Sequence, residues 1–302
     1  AANHYGERIG RCFMSIRLEN VSHVYGRKTP NEHLALKNIN LEIKEGEFVG
    51  IIGHTGSGKS TLVQLLNGLL QPTEGTVYVD GTDLSCKSKE AVAARRRVGM
   101  VFQYPEYQLF EETVADDIAF GPKNYGLSEA EVTERVKEAM DFVGLDYETY
   151  GKRSPFRLSG GQMRRVAIAG IIAMRPRYLI LDEPSAGLDP VGRREIFGQI
   201  ERRYKETGIT VVLVSHNMED IAALANRLII LNRGEIAADG VPTEIFATER
   251  DVLQAAGVDV PPVTHVLQYL KERGLDVETR VKTVSDGTDT IYRALRRNGH
   301  AD

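Results

Sequence analysis

Along the chain the spacing of apolar positions changes several times, and each change marks a different kind of element. Over residues 15–25 apolar and polar side chains alternate through Ile16 and Leu18 and again from Val21, the pattern of a half-exposed strand. Leu36, Ile39, Leu41 and Ile43 repeat it ahead of a Glu45-Gly46-Glu47 turn, and Val77-Tyr78-Val79 runs into an Asp80-Gly81 turn. These segments predict an antiparallel sheet leaning on a second, more buried one. The buried one shows as short unbroken apolar runs: Phe48-Val49-Gly50-Ile51-Ile52, 98–102, Tyr178-Leu179-Ile180-Leu181 and 209–214. Residues 227–232 and 234–239 read as a closing hairpin.

Helical spacing fills the gaps. Residues 61–68 follow the first buried run as a helix. Residues 113–120 and 128–143 form a helical block, with Val132, Val136, Ala139 and Val143 on one face and a capping box of Ser128 and Glu131. A further helix runs to Met174, and a charged one covers 191–207. Beyond Val241 the composition shifts. Pro261-Pro262 opens a helix with Val263, Val266, Leu267 and Leu270 as an apolar stripe, residues 276–284 alternate, and 290–295 are expected to pair with them as strand. This tail is too small to bury a core alone and must pack on the main domain or another chain.

The candidate chemistry starts at Gly53-His54-Thr55-Gly56-Ser57-Gly58-Lys59-Ser60, which fills every fixed position of the phosphate-binding loop pattern between a strand and a helix. Gly53, Gly56 and Gly58 free the backbone to turn successive N–H groups inward on a polyphosphate, and the new helix aims its positive end there. Lys59 supplies a charge for the β- and γ-phosphates, Ser60 a hydroxyl for Mg²⁺, and Thr61 continues the helix beneath them. A nucleoside triphosphate with Mg²⁺ is the expected ligand. The fold class expected is α/β, a P-loop NTPase (RecA-like) core with an antiparallel β subdomain, a helical subdomain and a small C-terminal α+β extension. Asp182 and Glu183 end one apolar strand, where ligands bind in open parallel sheets, and His216 lies just past another. Asp182 is placed to hold Mg²⁺ opposite Ser60.

Composition narrows the partners. The 302 residues carry a formal net charge of −4, which leaves no general electrostatic footprint for nucleic acid or anionic membrane. The short clusters Arg95-Arg96-Arg97, Arg164-Arg165 and Arg296-Arg297 read as solvated helix faces or local partner contacts. Two cysteines, Cys12 and Cys86, show no metal spacing and suit a reducing compartment. No apolar segment is long enough to span a bilayer, so membrane contact is expected only through partners. Residues 1–13 lack the apolar core of a signal peptide and are expected to be an upstream extension or expression remnant. Residues 14–240 are expected to form the nucleotide domain, with a helical subdomain over about 104–165, and 241–302 the extension.

Taken in order, the phosphate loop, Gln103, Leu158-Ser159-Gly160-Gly161-Gln162, Asp182-Glu183 and His216 resemble the ATPase subunits of ABC transporters over residues 14–239. The resemblance implies that Glu183 is the general base for the attacking water and that His216 senses the γ-phosphate. It implies that Gln103 approaches Mg²⁺ and leads toward a membrane partner, and that Tyr25 stacks on adenine. Ser159, Gly160, Gly161 and Gln162 would open a helix onto the γ-phosphate held by a second subunit, with the Asp189 loop crossing the same seam. Two ATPs would then be sandwiched between two ATPase subunits.

The stretch Phe102-Gln103-Tyr104-Pro105-Glu106-Tyr107-Gln108-Leu109-Phe110, with Thr113-Val114 and Ala119-Phe120-Gly121-Pro122, resembles the ATPases of energy-coupling-factor transporters, and the loop start Gly53-His54-Thr55-Gly56 with Leu109-Phe110-Glu111-Glu112-Thr113 is most similar to the second ATPase of the vitamin-importing type. That resemblance implies a second, different ATPase chain, a transmembrane coupling subunit and a substrate-binding membrane subunit. It implies a peripheral position on the cytoplasmic face of the membrane and a C-terminal extension that helps the ATPases associate. Glu106, Glu111, Glu112, Asp116 and Asp117 are candidate acceptors for a basic residue of the coupling subunit. The alternatives are a cobalt- or nickel-type importer, another ABC transporter, or a soluble ABC ATPase on ribosome or DNA. Against the last, the chain shows neither a second such domain nor a coiled-coil insertion.

Overall fold

The computed structural model describes residues 14–297, so the expected N-terminal extension, with Cys12, lies outside the described residues. From the start, strands β1 (Ser15–Tyr25) and β2 (His33–Lys44) lead to β3 (Phe48–Ile52) and helix α1 (Lys59–Leu66). Strands β4 (Glu74–Val79) and β5 (Thr82–Asp83), helix α2 (Lys89–Arg95) and strand β6 (Val98–Val101) follow. A 3-10 turn, Pro105–Gln108, precedes helices α3 (Val114–Asn124), α4 (Glu129–Phe142) and α5 (Tyr147–Tyr150), and a second, Pro155–Arg157, precedes α6 (Gly160–Ile172). Then come β7 (Tyr178–Asp182), α7 (Pro190–Thr207), β8 (Thr210–Val214), α8 (Met218–Leu224), β9 (Arg227–Asn232) and β10 (Glu235–Gly240). The described residues finish with α9 (Pro242–Thr248), α10 (Arg250–Ala255), α11 (Pro262–Glu272) and α12 (Val284–Arg297).

Two sheets result. The front sheet is four-stranded and antiparallel, in the order β2-β1-β4-β5, as the alternation predicts. The central sheet has six strands in the order β10-β9-β3-β8-β7-β6, parallel from β9 to β6, with β10 antiparallel on the edge. Its inner strands look uniformly apolar in sequence because both faces are covered. The pleat divides them between two cores. Val49, Ile51, Ile180, Val212 and Val214 face the front sheet and α1, whereas Phe48, Leu179, Leu181, Val211 and Leu213 face the helices on the other side.

One glycine sets a helix distance. A Cβ on Gly50 would stand 2.9 Å from Ile221 Cγ2, so α8 rests almost on the backbone of β3. The helical block is closed as predicted by the Ser128–Glu131 capping box at α4.

The C-terminal region divides in two. Ile245, Phe246, Leu253, Ala256 and Val260 join the main core, while Leu267, Val277, Val281 and Ala294 form a small cluster of their own. The expected strand pair of the α+β extension does not form, and among the described residues the extension is helical. Residues 276–281 take no regular secondary structure and pair with no strand among the described residues, and Val277 and Val281 turn inward while Glu278 and Arg280 stay out. Residues 290–295 belong to α12. Thr283 and Asp286 cap that helix reciprocally, and Gly287 and Ala294 form its buried face. Gly287 permits close packing, since a Cβ there would meet Val263 Cγ2 at 2.3 Å.

Candidate nucleotide site

The parallel strands deliver their carboxyl ends to one edge of the central sheet, and the sequence-selected residues gather there. Thr55, Gly56, Gly58, Lys59, Ser60 and Thr61 after β3 line an open cleft of about 350 Å³. Gln103 after β6, Asp182 and Glu183 from the end of β7, and His216 after β8 complete its walls. Tyr25, at the end of β1, closes it from the front sheet, and its hydroxyl lies 3.2 Å from Thr61 Oγ1. His33 and Ala35 also line it. Sequence reading passed over those two, whose only signal was their position across the β1–β2 turn from Tyr25.

The loop is held from outside so that its inner surface stays bare. Gly58, with φ 104°, is the residue before α1, and a Cβ there would strike the Ala35 carbonyl at 2.7 Å. A Cβ on Gly53 would strike the Leu231 carbonyl at 2.3 Å, whereas one on Gly56 would meet nothing within 4 Å. Ser57 is wholly buried behind the loop, with its hydroxyl unpartnered. His54 turns away from the cleft: its N–H donates to the Ala256 carbonyl at 3.1 Å, which ties the loop to the end of α10.

Charge is concentrated at the cleft floor. Lys59 is buried, and its Nζ donates to the Gly53 and His54 carbonyls at 2.7 and 3.0 Å. Burial pushes its pKa down, against the pull of Glu183 and Asp182. Burial raises Asp182, with Lys59 and the neighbouring Ser60 hydroxyl pulling it back. Burial and the adjacent Asp182 push Glu183 up to about 7, opposed by the nearby His216 amide and Lys59. Glu183 is held in the left-handed region, φ 50°, and its Oε1 is buried without a hydrogen-bond partner. His216 Nε2 stands 3.6 Å from that oxygen, and burial and Lys59 lower the imidazole pKa.

These residues fit a nucleoside triphosphate carrying Mg²⁺. Gly56 leaves room for close approach, one lysine sits at the floor, and a serine hydroxyl and a carboxylate face each other beside an orphaned carboxylate oxygen. Among the described residues no group of three or more His, Cys, Asp or Glu could hold a metal by itself.

The remaining selected residues lie elsewhere. Ser159, Gly161 and Gln162 line a separate cleft of about 460 Å³ with Tyr150, Leu188 and Asp189. Ser159 caps α6 in a reciprocal box with Gln162, and a Cβ on Gly160 would meet nothing within 4 Å, so the helix end is open to an outside ligand. Asp189 caps α7 through Gly192 N–H at 2.7 Å. Arg193 of the same helix donates to Asp220 Oδ1 at 2.7 Å, linking α7 to α8 and the His216 loop.

Two expectations need correction. Arg164 is not a solvated basic residue: it is fully buried and forks onto Glu106 through Nε and Nη2, both at 3.0 Å. Glu106 is therefore not free to receive a partner's cation. Asp117 is engaged by the Phe110 and Glu111 amides, and Asp116 by Thr113 and Lys123, which leaves Glu111 and Glu112 of the acidic group.

Known proteins resemble this chain in sequence and in fold. The family model for ABC transporter matches residues 36–186. The chain is 53% identical over 285 residues to the energy-coupling factor transporter ATP-binding protein EcfA2 of Clostridium perfringens, covering 94% of this chain and 100% of that protein. It is 54% identical over 280 residues to the protein of the same name from Clostridium tetani, covering 93% and 97%. Among solved structures, cbiO1 of Clostridium perfringens, part of the ABC transporter complex cbiONQ, aligns with TM-score 0.70 and 34% identity over 86% of this chain and 99% of that one. The ATP-binding cassette MJ0796, a dimer in a post-hydrolysis state bound to ADP and Pi, aligns with TM-score 0.67 and 34% identity over 75% and 98%. The family match over residues 36–186 and identity above one half over nearly the full length of both chains show that this chain belongs to the ABC transporter ATPase family, among the energy-coupling factor transporter ATP-binding proteins.

Proposed function

We propose that the chain is the ATP-hydrolysing motor subunit of a vitamin-type energy-coupling-factor importer. It pairs with a second ATPase and couples to a transmembrane protein, with a further membrane subunit binding the substrate. The observation that carries this reading is the division of the site. The cleft at Lys59 and Glu183 and the helix opening at Ser159 stand on separate surfaces of one chain, each open to solvent. A single chain then holds half of each of two sites, and closing a pair of subunits completes both.

In this reading Lys59 lets go of its loop carbonyls to meet the β- and γ-phosphates, and the loop amides take the remaining oxygens. Ser60 and Asp182, with Gln103 nearby, would hold Mg²⁺, which when bound would supply positive charge against the phosphates. Glu183, whose free oxygen faces no protein donor, accepts a proton from water lined up on the γ-phosphate. His216, neutral near physiological pH, lies beside that oxygen and reads the phosphate. Tyr25 offers its half-exposed ring to the base. Ser159, Gly160, Gly161 and Gln162 supply the opposing amides to the ATP of the partner. Among the described residues no helix is long and apolar enough to cross a membrane, which suits peripheral attachment through partners.

The test is reconstitution. Expressed with its membrane neighbours and purified from detergent, the chain should bring with it a second ATPase and an integral membrane protein, and in liposomes it should drive ATP-dependent uptake. Recovery with ribosomes or DNA instead, and no uptake, would overturn the reading.

A further inference from the structure

Arg164 lines neither cleft, yet it is among the largest fully buried side chains, 2% exposed and charged. Burying a cation is costly unless its donors are matched. Here they are matched from three directions. Glu106 takes a two-pronged contact, Nε to Oε2 and Nη2 to Oε1, both 3.0 Å. Nη1 donates to the Ala186 carbonyl. The Tyr104 ring lies beneath the guanidinium carbon, 5.7 Å from its centroid.

The contacts join three separate segments of the chain. Glu106 sits in the 3-10 turn just after Gln103, whose outward face carries Tyr107, 84% exposed. Arg164 itself is in the second turn of α6, the helix that Ser159 opens. Ala186 follows Glu183, donates its N–H to the Glu183 carbonyl at 3.1 Å, and leads into the Asp189 cap of α7. A planar fork has little tolerance for sliding, and lysine cannot reproduce it. A turn displaced against α6 would leave a buried guanidinium short of partners, so the three segments move together or the junction breaks.

We propose that the Glu106–Arg164–Ala186 junction is a positioning device that carries displacement of the partner-facing turn into the Ser159 helix end and the Asp189 loop. Docking or release at the turn thereby sets how the two half-sites close. This rests on the functional reading above.

Two variants test it in the reconstituted complex. Arg164→Lys keeps the charge and loses the fork, and the double variant Glu106→Gln with Arg164→Met removes both charges and leaves no orphan ion. Thermal melts, KM for ATP, ATP turnover and uptake are measured together. The junction predicts that uptake per ATP falls ~10-fold or more, in the range of typical coupling energies, while KM and the turnover of the isolated ATPase pair stay within ~3-fold. Uptake per ATP within ~2-fold of the parent in both variants would overturn it. So would losses of uptake and turnover in equal proportion that track a lowered melting temperature, because a merely structural contact does that. Failure of the parent complex to couple ATP to uptake would bring down the functional reading instead.

Discussion

His216 Nε2 stands 3.6 Å from Glu183 Oε1, an oxygen that is buried and receives no hydrogen bond from the protein. A carboxylate left short of donors is costly unless something from outside completes it. Water aligned on a bound phosphate would do so. Glu183→Gln keeps the shape and loses the proton acceptor, and should lower ATP turnover ~10²–10⁴-fold while MgATP still binds and holds the subunit pair closed. Phosphate release and size-exclusion chromatography with ATP check both halves, and unchanged turnover contradicts the assignment.

The same group makes stability depend on pH. The folded protein holds the Glu183 proton up to about 7, against an ordinary value of 4.5. The folded state therefore binds the proton more tightly than the unfolded chain. The contribution is full below the ordinary value and is lost as pH rises through the folded one. Without nucleotide, this group should make the protein less stable at pH 8 than at pH 5 by about 1–3 kcal/mol. Urea melts at the two pH values should show that difference shrinking in Glu183→Gln, and a slope identical to the parent's would contradict it.

Lys59 is held by carbonyls of its own loop rather than by an acid, so its charge is available once phosphate arrives. MgATP at a hundredfold excess over its Kd should stabilise the parent by ~2.7 kcal/mol. Lys59→Ala should lose most of that ligand-dependent shift in melting temperature. A shift as large as the parent's would remove Lys59 from the phosphate site.

Gly50 matters without touching the cleft. A side chain there meets Ile221 at 2.9 Å and lifts α8, which follows directly on His216. Gly50→Val should cost ~1–3 kcal/mol in urea denaturation and reduce kcat for ATP more than affinity for it. Equal stability would mean that α8 yields freely.

Local pattern was enough for the core because the buried strands are both uninterrupted and bounded by turns, and because the phosphate loop is defined by backbone needs that only glycine meets. The strand-end placement of Asp182, Glu183 and His216 follows from the same runs. The Arg164–Glu106 pair was not legible. Its members are 58 positions apart, and each looks like an ordinary surface charge beside its neighbours. Residues 276–283 misled for a different reason. A period of two reports which side chains point inward, and it does so equally for a strand and for an irregular segment lying unpaired on an apolar cluster. His54 lies within the loop pattern, yet its amide is taken by Ala256, a contact that only the folded C-terminal region creates.

If each ATP site is shared between two subunits, as proposed, then Ser159→Arg, which blocks the open helix end and leaves the Lys59 cleft alone, must disable the partner's site and not its own. The variant should keep its own MgATP-dependent rise in melting temperature, while the paired ATPases no longer close on ATP and complex turnover falls ~10²-fold or more. Turnover equal to the parent's in the paired complex would contradict it.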